Sequence, residues 1–294
     1  MGNLRDIRTR INSVKTTRQV TNAMKMVSAA RLKKAQDEIT HIRPYSQKMA
    51  QMMSRLSASL EENANLDYTE APADAKDDTL IIAIASNRGL CGGFNSNVVK
   101  AVQNLLTGDL YRDHLNGKVK LAVLGKQVEK QFRSRKITLN EEHHDLLNDI
   151  SFKEVSHLST ELMKRFNDGE FSKVILVYNE FVNAAVQKVQ VYQYLPFHPV
   201  ASEDVEPADY IFEPDAKSII EVMIPTMLQV MLFRALLESQ ASEHGARMTS
   251  MHKATDNATD LIRDLQLGYN KARQTAITNQ IVEITGGAEA LSNK

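Results

Sequence analysis

From residue 3 to residue 60 the chain contains no glycine and a single proline, so almost nothing in this stretch offers an exit from a helix once one has started. Apolar residues recur at helical spacing from the beginning, at Leu4, Ile7, Ile11 and Val14. Alternate steps of three and four from 32 then meet Leu32, Ala35, Ile39, Ile42, Ser46, Met49, Met53, Leu56 and Leu60, a seam of the coiled-coil kind. Pro44 lies inside it, and its missing N–H predicts a kink in a helix that continues. Between the two runs the same stepping lands on Arg18, Thr21, Lys25 and Ser28, while apolar character moves to Val20, Met24, Val27 and Ala30. The helix is therefore expected to hide a different face there, against a third surface.

A second long helix is expected from about 216 to 286, with Ile219, Val222, Val230, Phe233, Leu237, Met248, Met251, Ala258, Leu261, Leu265, Tyr269 and Ala272 as its apolar positions. Pro225, Gly245 and Gly268 interrupt it, and an interior glycine costs about 1 kcal/mol relative to alanine, which a long packed seam absorbs. Between these arms the period changes. Residues 79–85, 118–125, 173–178 and 186–194 read as strands, and 97–106 and 152–166 as helices, the latter with Phe152, Val155, Leu158, Leu162 and Phe166 on one face. Such alternation predicts a small, Rossmann-like, mostly parallel α/β domain. The fold class is thus α/β with a long antiparallel two-helix coiled coil. Residues 61–78 and 196–215 read as linkers, the second holding four of the seven prolines. The expected domains are an N-terminal helix over 1–60, a base with its linkers over 61–215, and a C-terminal helix over 216–294.

Lengths set an expectation for shape. Helices of about 57 and about 70 residues extend roughly 85 and 105 Å, whereas a base of about 120 residues has a radius of gyration near 14 Å. Arms of that length cannot wrap around the base, so they are expected to project antiparallel and cover each other's seams. The C-terminal arm is the longer, and from 276 to 294 its only charges are Glu283, Glu289 and Lys294, beside Ile277, Ile281, Val282, Ile284 and Leu291. An apolar helix end of this kind calls for burial in a partner.

Formal charge is zero overall but segregated, at +9 over residues 1–60 and −9 over the rest. The basic arm suggests an anionic partner, with nucleic acid, a lipid surface and an acidic protein as the alternatives. No apolar run approaches the roughly 20 residues that span a bilayer. The single cysteine, Cys91, precludes an internal disulfide and a multi-cysteine zinc site. No GxGxxG or Walker A spacing is present, so neither an ATP site nor a bound cofactor is expected. His143 and His144 are adjacent and point different ways, which offers no HExxH-type metal pair. Gly89-Leu90-Cys91-Gly92-Gly93 matches a nucleophile elbow in composition, but Ser86, Asn87 and Arg88 separate it from the strand; the alternative is a tight strand-to-helix turn whose glycines supply positive φ.

Several segments carry a family resemblance. Residues 7–11, 21–31 and 43–45, then Ser86-Asn87-Arg88-Gly89-Leu90-Cys91-Gly92-Gly93 with Asn95, then 242–248, 254–258 and 269–274 together resemble, in order and along nearly the whole chain, the gamma subunits of bacterial F-type ATP synthases. One position departs: Gln280 stands where the family pattern has glutamate. The resemblance implies a non-catalytic rotor shaft. Its partners would be three alpha and three beta subunits, epsilon and the c-ring, with no nucleic acid, and with membrane association through the c-ring alone, on the cytoplasmic face of the inner membrane. It also implies beta-subunit contacts at Arg273, Gln274 and Thr278, and acidic beta loops facing Arg8, Arg31, Lys33 and Lys34. A hydrophobic bearing would hold Ile277, Ile281, Ile284 and Leu291, and Tyr210, Phe212 and Glu213 would form a foot near the c-ring.

Overall fold

The computed structural model describes residues 4–58, 67–198, 213 and 215–292, with the backbone alone at 57, 58 and 289–292. Helix α1 runs Leu4–Ala58 without interruption at Pro44, which lies on the exposed side. Strand β1 (Thr79–Ile84) follows, then α2 (Phe94–Thr107), α3 (Tyr111–Leu115), β2 (Val119–Leu124), α4 (Lys126–Ser134), β3 (Glu141–Glu142), α5 (Phe152–Asn167), β4 (Lys173–Phe181), β5 (Gln187–Leu195) and α6 (Ala216–Ser292). The strands form one sheet in the order β3-β2-β1-β4-β5, parallel except for the antiparallel β4–β5 hairpin. The four expected strands and two base helices are present; α3, α4 and the two-residue β3 are additions. Ser151 caps α5 by accepting a hydrogen bond from the Glu154 N–H, and Asp215 does the same for α6 through the Ser218 N–H at 2.9 Å.

All six residues of β1 are buried, because a central parallel strand is covered on both faces. Alternation then assigns side chains to two layers. Ile81, Ala83, Leu121, Val123, Ile175 and Val177 pack on α2 and α4 through Val98, Val102, Val128 and Phe132. Leu80, Ile82, Ile84, Leu124, Val174 and Leu176 face the opposite way, onto Val155, Leu162 and Phe166 of α5. One helix cannot roof this second face. The remainder is covered by Met53 and Leu56 of α1 and by Ile220, Ile224, Leu228, Leu232 and Leu236 of α6. The roots of the two long helices are therefore a structural layer of the base. Tyr194 is fully buried and ties that layer together, its hydroxyl donating to the Leu228 carbonyl at 3.1 Å and lying 2.7 Å from Ser159 Oγ. By hydropathy α6 contains an 18-residue window apolar enough to cross a bilayer, which the sequence reading did not foresee. Of that window 39% is buried within the structure, so packing of the root against the sheet accounts for only part of its apolarity.

By contact density the chain divides into two units: Ser28–Arg247, and Met1–Val27 with Met248–Lys294. In the larger, Leu32, Ala35, Ile39, Ser46, Met49, Met53 and Leu56 of the expected seam are buried; Ile42 is half-buried, and Leu60 lies outside the described residues. Gly245, counted in the sequence as a cost, is a close-approach point: a Cβ there would stand 3.2 Å from Ala184 Cα in the β4–β5 hairpin. In the smaller unit the two helices meet through Ile11, Met251, Ala258 and Ile262 and through the Thr21 and Thr255 hydroxyls, 2.8 Å apart.

Three seam assignments need correction. Within this chain the hidden face does not change near residue 20: Thr21 and Ser28 stay buried while Val20 and Val27 are more than half exposed, so this chain supplies no third surface for them. On α6, Ile262 and not Leu261 turns inward, and Val222 is exposed. In each case position on the helix face, set by the neighbouring helix or sheet, overrides side-chain hydrophobicity. Replacing Leu232 by alanine is expected to lower unfolding free energy by about 2–5 kcal/mol in urea titrations of the purified chain. Val222→Ala should change it by less than about 0.5 kcal/mol in the same titration.

Candidate functional site at the strand ends

Where β1 and β4 run side by side, the chain leaves their carboxyl ends in opposite directions, the topological position at which open α/β sheets commonly hold ligands. The turn from β1 into α2 is built by Ser86 and Asn95. Asn95 Oδ1 accepts from the Ser86 N–H at 3.1 Å, and the Ser86 hydroxyl lies 2.7 Å from the Arg88 carbonyl and 2.9 Å from Asn95 Oδ1. Asn95 Nδ2 donates to Cys91 Sγ at 3.2 Å. Leu90 and Gly92 take φ of 64° and 59°, which turns the loop tightly enough to tuck Cys91 inward at 2% exposure. Burial pushes the Cys91 thiol up, the neighbouring Ser86 and Arg247 offsetting only part of this. A nucleophilic cysteine needs the opposite shift and an open approach. The segment is a structural turn.

Helix α6 closes the crevice. Arg247, 6% exposed, donates through Nη2 to the Arg88 carbonyl at 2.9 Å and through Nε to the Gly89 carbonyl at 3.3 Å, while its Nη1 meets Glu243 Oε1 at 2.5 Å. A planar guanidinium can serve loop and helix at once in this way. Beside this junction a polar crevice of about 340 Å³ remains between the β1–α2 loop, the segment before α5, and the two long helices. Its charged rim holds Arg31, Lys34 and Arg88 against Glu38, Asp149 and Glu243. Opposite charges in equal number leave the rim without a net charge to draw in an anion. His244 at its edge is held neutral, its pKa brought down to about 4 by burial first and by Arg247 and Arg31 next.

Glu129, Glu142 and His144 come close enough to suggest a cation site. The tautomer opposes it. The Gly125 N–H donates to His144 Nδ1 at 3.1 Å, which places the ring proton on Nε2, the atom facing Glu129 Oε2 at 3.0 Å. A metal would need the lone pair that this proton occupies, and Arg133 already pairs with both carboxylates.

Of the residues assigned by resemblance, Arg31 and Lys34 line this crevice and the others lie elsewhere. Arg8, Arg31, Lys33 and Lys34 are exposed on α1, with Lys33 pairing to Asp37 at 2.7 Å and Lys34 to Glu38 at 3.8 Å. Arg273, Gln274 and Thr278 are exposed on consecutive turns of α6. Ile277, Ile281 and Ile284 on those same turns are 47%, 55% and 71% exposed. Glu213 is exposed; Tyr210, Phe212 and the Leu291 side chain lie outside the described residues. Sequence reasoning missed the Arg247 junction and the carboxylate of Glu238. The available signal was a charged residue at an inward helical position, such as Glu238 after Leu236 and Leu237.

A family model described as ATP synthase matches residues 3–291. The chain is 47% identical over 292 residues to the ATP synthase gamma chain of Christiangramia forsetii, covering 99% of this chain and 100% of that one. It is 48% identical to that of Flavobacterium johnsoniae, with 99% and 100% covered. Among solved structures it resembles chains of the Euglena gracilis mitochondrial ATP synthase, in an OSCP/F1/c-ring assembly (TM-score 0.67, 19% identity, 98% and 94% covered) and in a rotor (TM-score 0.62, 18% identity, 93% and 98% covered). Those structures establish the fold. The chain belongs to the ATP synthase gamma chain family. For Cys91, iodoacetamide labelling of the native chain is expected to run at least about 100-fold slower than in denaturant, since the thiolate must be exposed to react; equal rates would contradict the buried turn.

Proposed function

We propose that this chain is the central-stalk rotor subunit of an F-type ATP synthase, coupling ion-driven rotation of the c-ring to conformational cycling of the catalytic beta subunits. The chain itself is non-catalytic. The observation that carries the reading is the surface of α6 between Arg273 and Ile284, where isoleucines about half exposed or more alternate with polar residues. Soluble chains seldom leave such a stripe bare unless another polypeptide covers it.

Coupling requires that the shaft contact the three beta subunits unequally. A ligand that binds two states equally shifts no equilibrium between them, however tightly it binds. Two helices of 55 and 77 residues with different faces satisfy this need for asymmetry. In this reading Arg273, Gln274 and Thr278 meet the beta subunits, and Arg8, Arg31, Lys33 and Lys34 face acidic beta loops. Ile277, Ile281, Ile284 and Leu291 turn in an apolar bearing, where few charges means few specific bonds to break at each turn. Tyr210, Phe212 and Glu213 meet the c-ring and epsilon. The subunit is peripheral, held at the cytoplasmic face of the inner membrane through the c-ring. Its three functional segments are 1–60, 61–215 and 216–294.

The purified chain alone is expected to hydrolyse no ATP above background in a coupled phosphate-release assay, and hydrolysis by it would overturn the rotor reading. Replacing Arg273 and Gln274 together by alanine should lower ATPase turnover of the reconstituted complex by roughly 10-fold, as loss of about 1.4 kcal/mol of coupling would. Unchanged turnover and assembly would remove these two residues from the contact.

A further inference from the structure

Glu238 on α6 is 0% exposed, and the function proposed above gives its carboxylate no task. Its Oε1 accepts from Arg234 Nε at 3.0 Å, one turn earlier on the same helix, and from Arg43 Nη2 at 3.4 Å, on α1. That same Nη2 donates to the carbonyl of Phe181, the last residue of β4, at 3.1 Å. One guanidinium therefore reaches the sheet and α6 together. The arrangement is costly: Glu238 Oε2 and Arg43 Nε are buried without a hydrogen-bond partner among the described residues. An apolar side chain of similar size in place of a buried ion pair is often neutral or stabilising, so stability is a poor explanation for a carboxylate here.

What the carboxylate adds is direction. Elsewhere α1 buries mainly apolar side chains in this unit, Leu32, Ala35, Ile39, Met49, Met53 and Leu56, with only the small hydroxyls of Ser28, Ser46 and Ser54 among them. Apolar contacts are non-directional, and methionine in particular repacks readily, so a seam of this kind resists axial slip or rotation of one helix on the other only weakly. A charge-assisted bond with fixed donors has one good register. We propose that Glu238 is a positioning residue that locks α1 to α6 and β4 in a single register, so that torque entering the base is delivered to both helices together. The inference rests on the rotor function above and adds the residue that sets the stiffness of the shaft at its root.

The test uses the complete complex in vesicles, and reads ions pumped per ATP hydrolysed. Glu238→Gln keeps shape and removes charge, and its two arginines, 39% and 35% exposed, can rehydrate when it goes. This variant is expected to lower the pumping ratio by roughly fivefold or more, the low end of coupling factors between sites. Arg43→Gln should lower it comparably, and the double variant by clearly less than the sum of the two, because both break the shared Arg43–Glu238 contact. Glu221→Gln, which breaks the exposed Lys217–Glu221 pair on the same helix, is the control and should leave the ratio unchanged. A wild-type ratio in Glu238→Gln, or fully additive losses in the double variant, overturns the lock. So does a parallel fall in hydrolysis and pumping at constant ratio, which marks a merely destabilised subunit. If the unsubstituted complex pumps nothing, the rotor reading itself fails and takes this inference with it.

Discussion

A parallel sheet must be roofed on both faces, and in this chain one face lacks enough helix of its own. Helices α2 and α4 cover one side, but α5 alone cannot cover the other. The deficit is made good by the ends of two helices that also run far beyond the base in sequence. The same α6 that carries Leu228 and Leu232 into the core continues along the sequence to Ile284. A separate domain on a flexible linker would bury its own core and transmit little torque. Here the helix roots share a core with the base, so the two belong to one packed body.

The polar junctions follow from the same placement. Once α6 crosses the carboxyl ends of the strands, it lies where an open α/β sheet would otherwise admit a ligand. Arg247 occupies that position, donating to the loop carbonyls and pairing with Glu243 beside it. The loop keeps the glycines and tight turn of a ligand-binding loop, yet its buried cysteine is held as a thiol and its charges are balanced. A fold that elsewhere binds nucleotides is used here as a clamp on a helix, which fits a subunit whose work is mechanical.

Much of this was legible in residue order. The long helices, the four principal strands and the coiled-coil seam follow from periodicity, because spacing of 3.6 or 2 is a local property. The seam errors were also local in origin. Val20, Val27 and Val222 are apolar, but their helix faces turn outward within this chain, and Thr21 takes an inward place despite its hydroxyl because Thr255 stands opposite. Short elements such as α3 and α4 escaped for want of enough residues to show a period. The contact residues drawn from resemblance lie exposed on α1 and α6, open to a partner; Glu238 and Arg247 gave no signal beyond a charge at an inward position.

By itself the sequence determined the kind of elements, their lengths, the segregation of charge and the family, since each is written in composition, spacing or residue identity along one dimension. Only the tertiary structure decided that the arm roots complete the base, that α6 closes the strand-end crevice, and that one buried carboxylate joins residues 195 apart in the chain. Those facts depend on which surfaces are left uncovered after the local elements form, and burial of a shared face is settled only when distant segments meet.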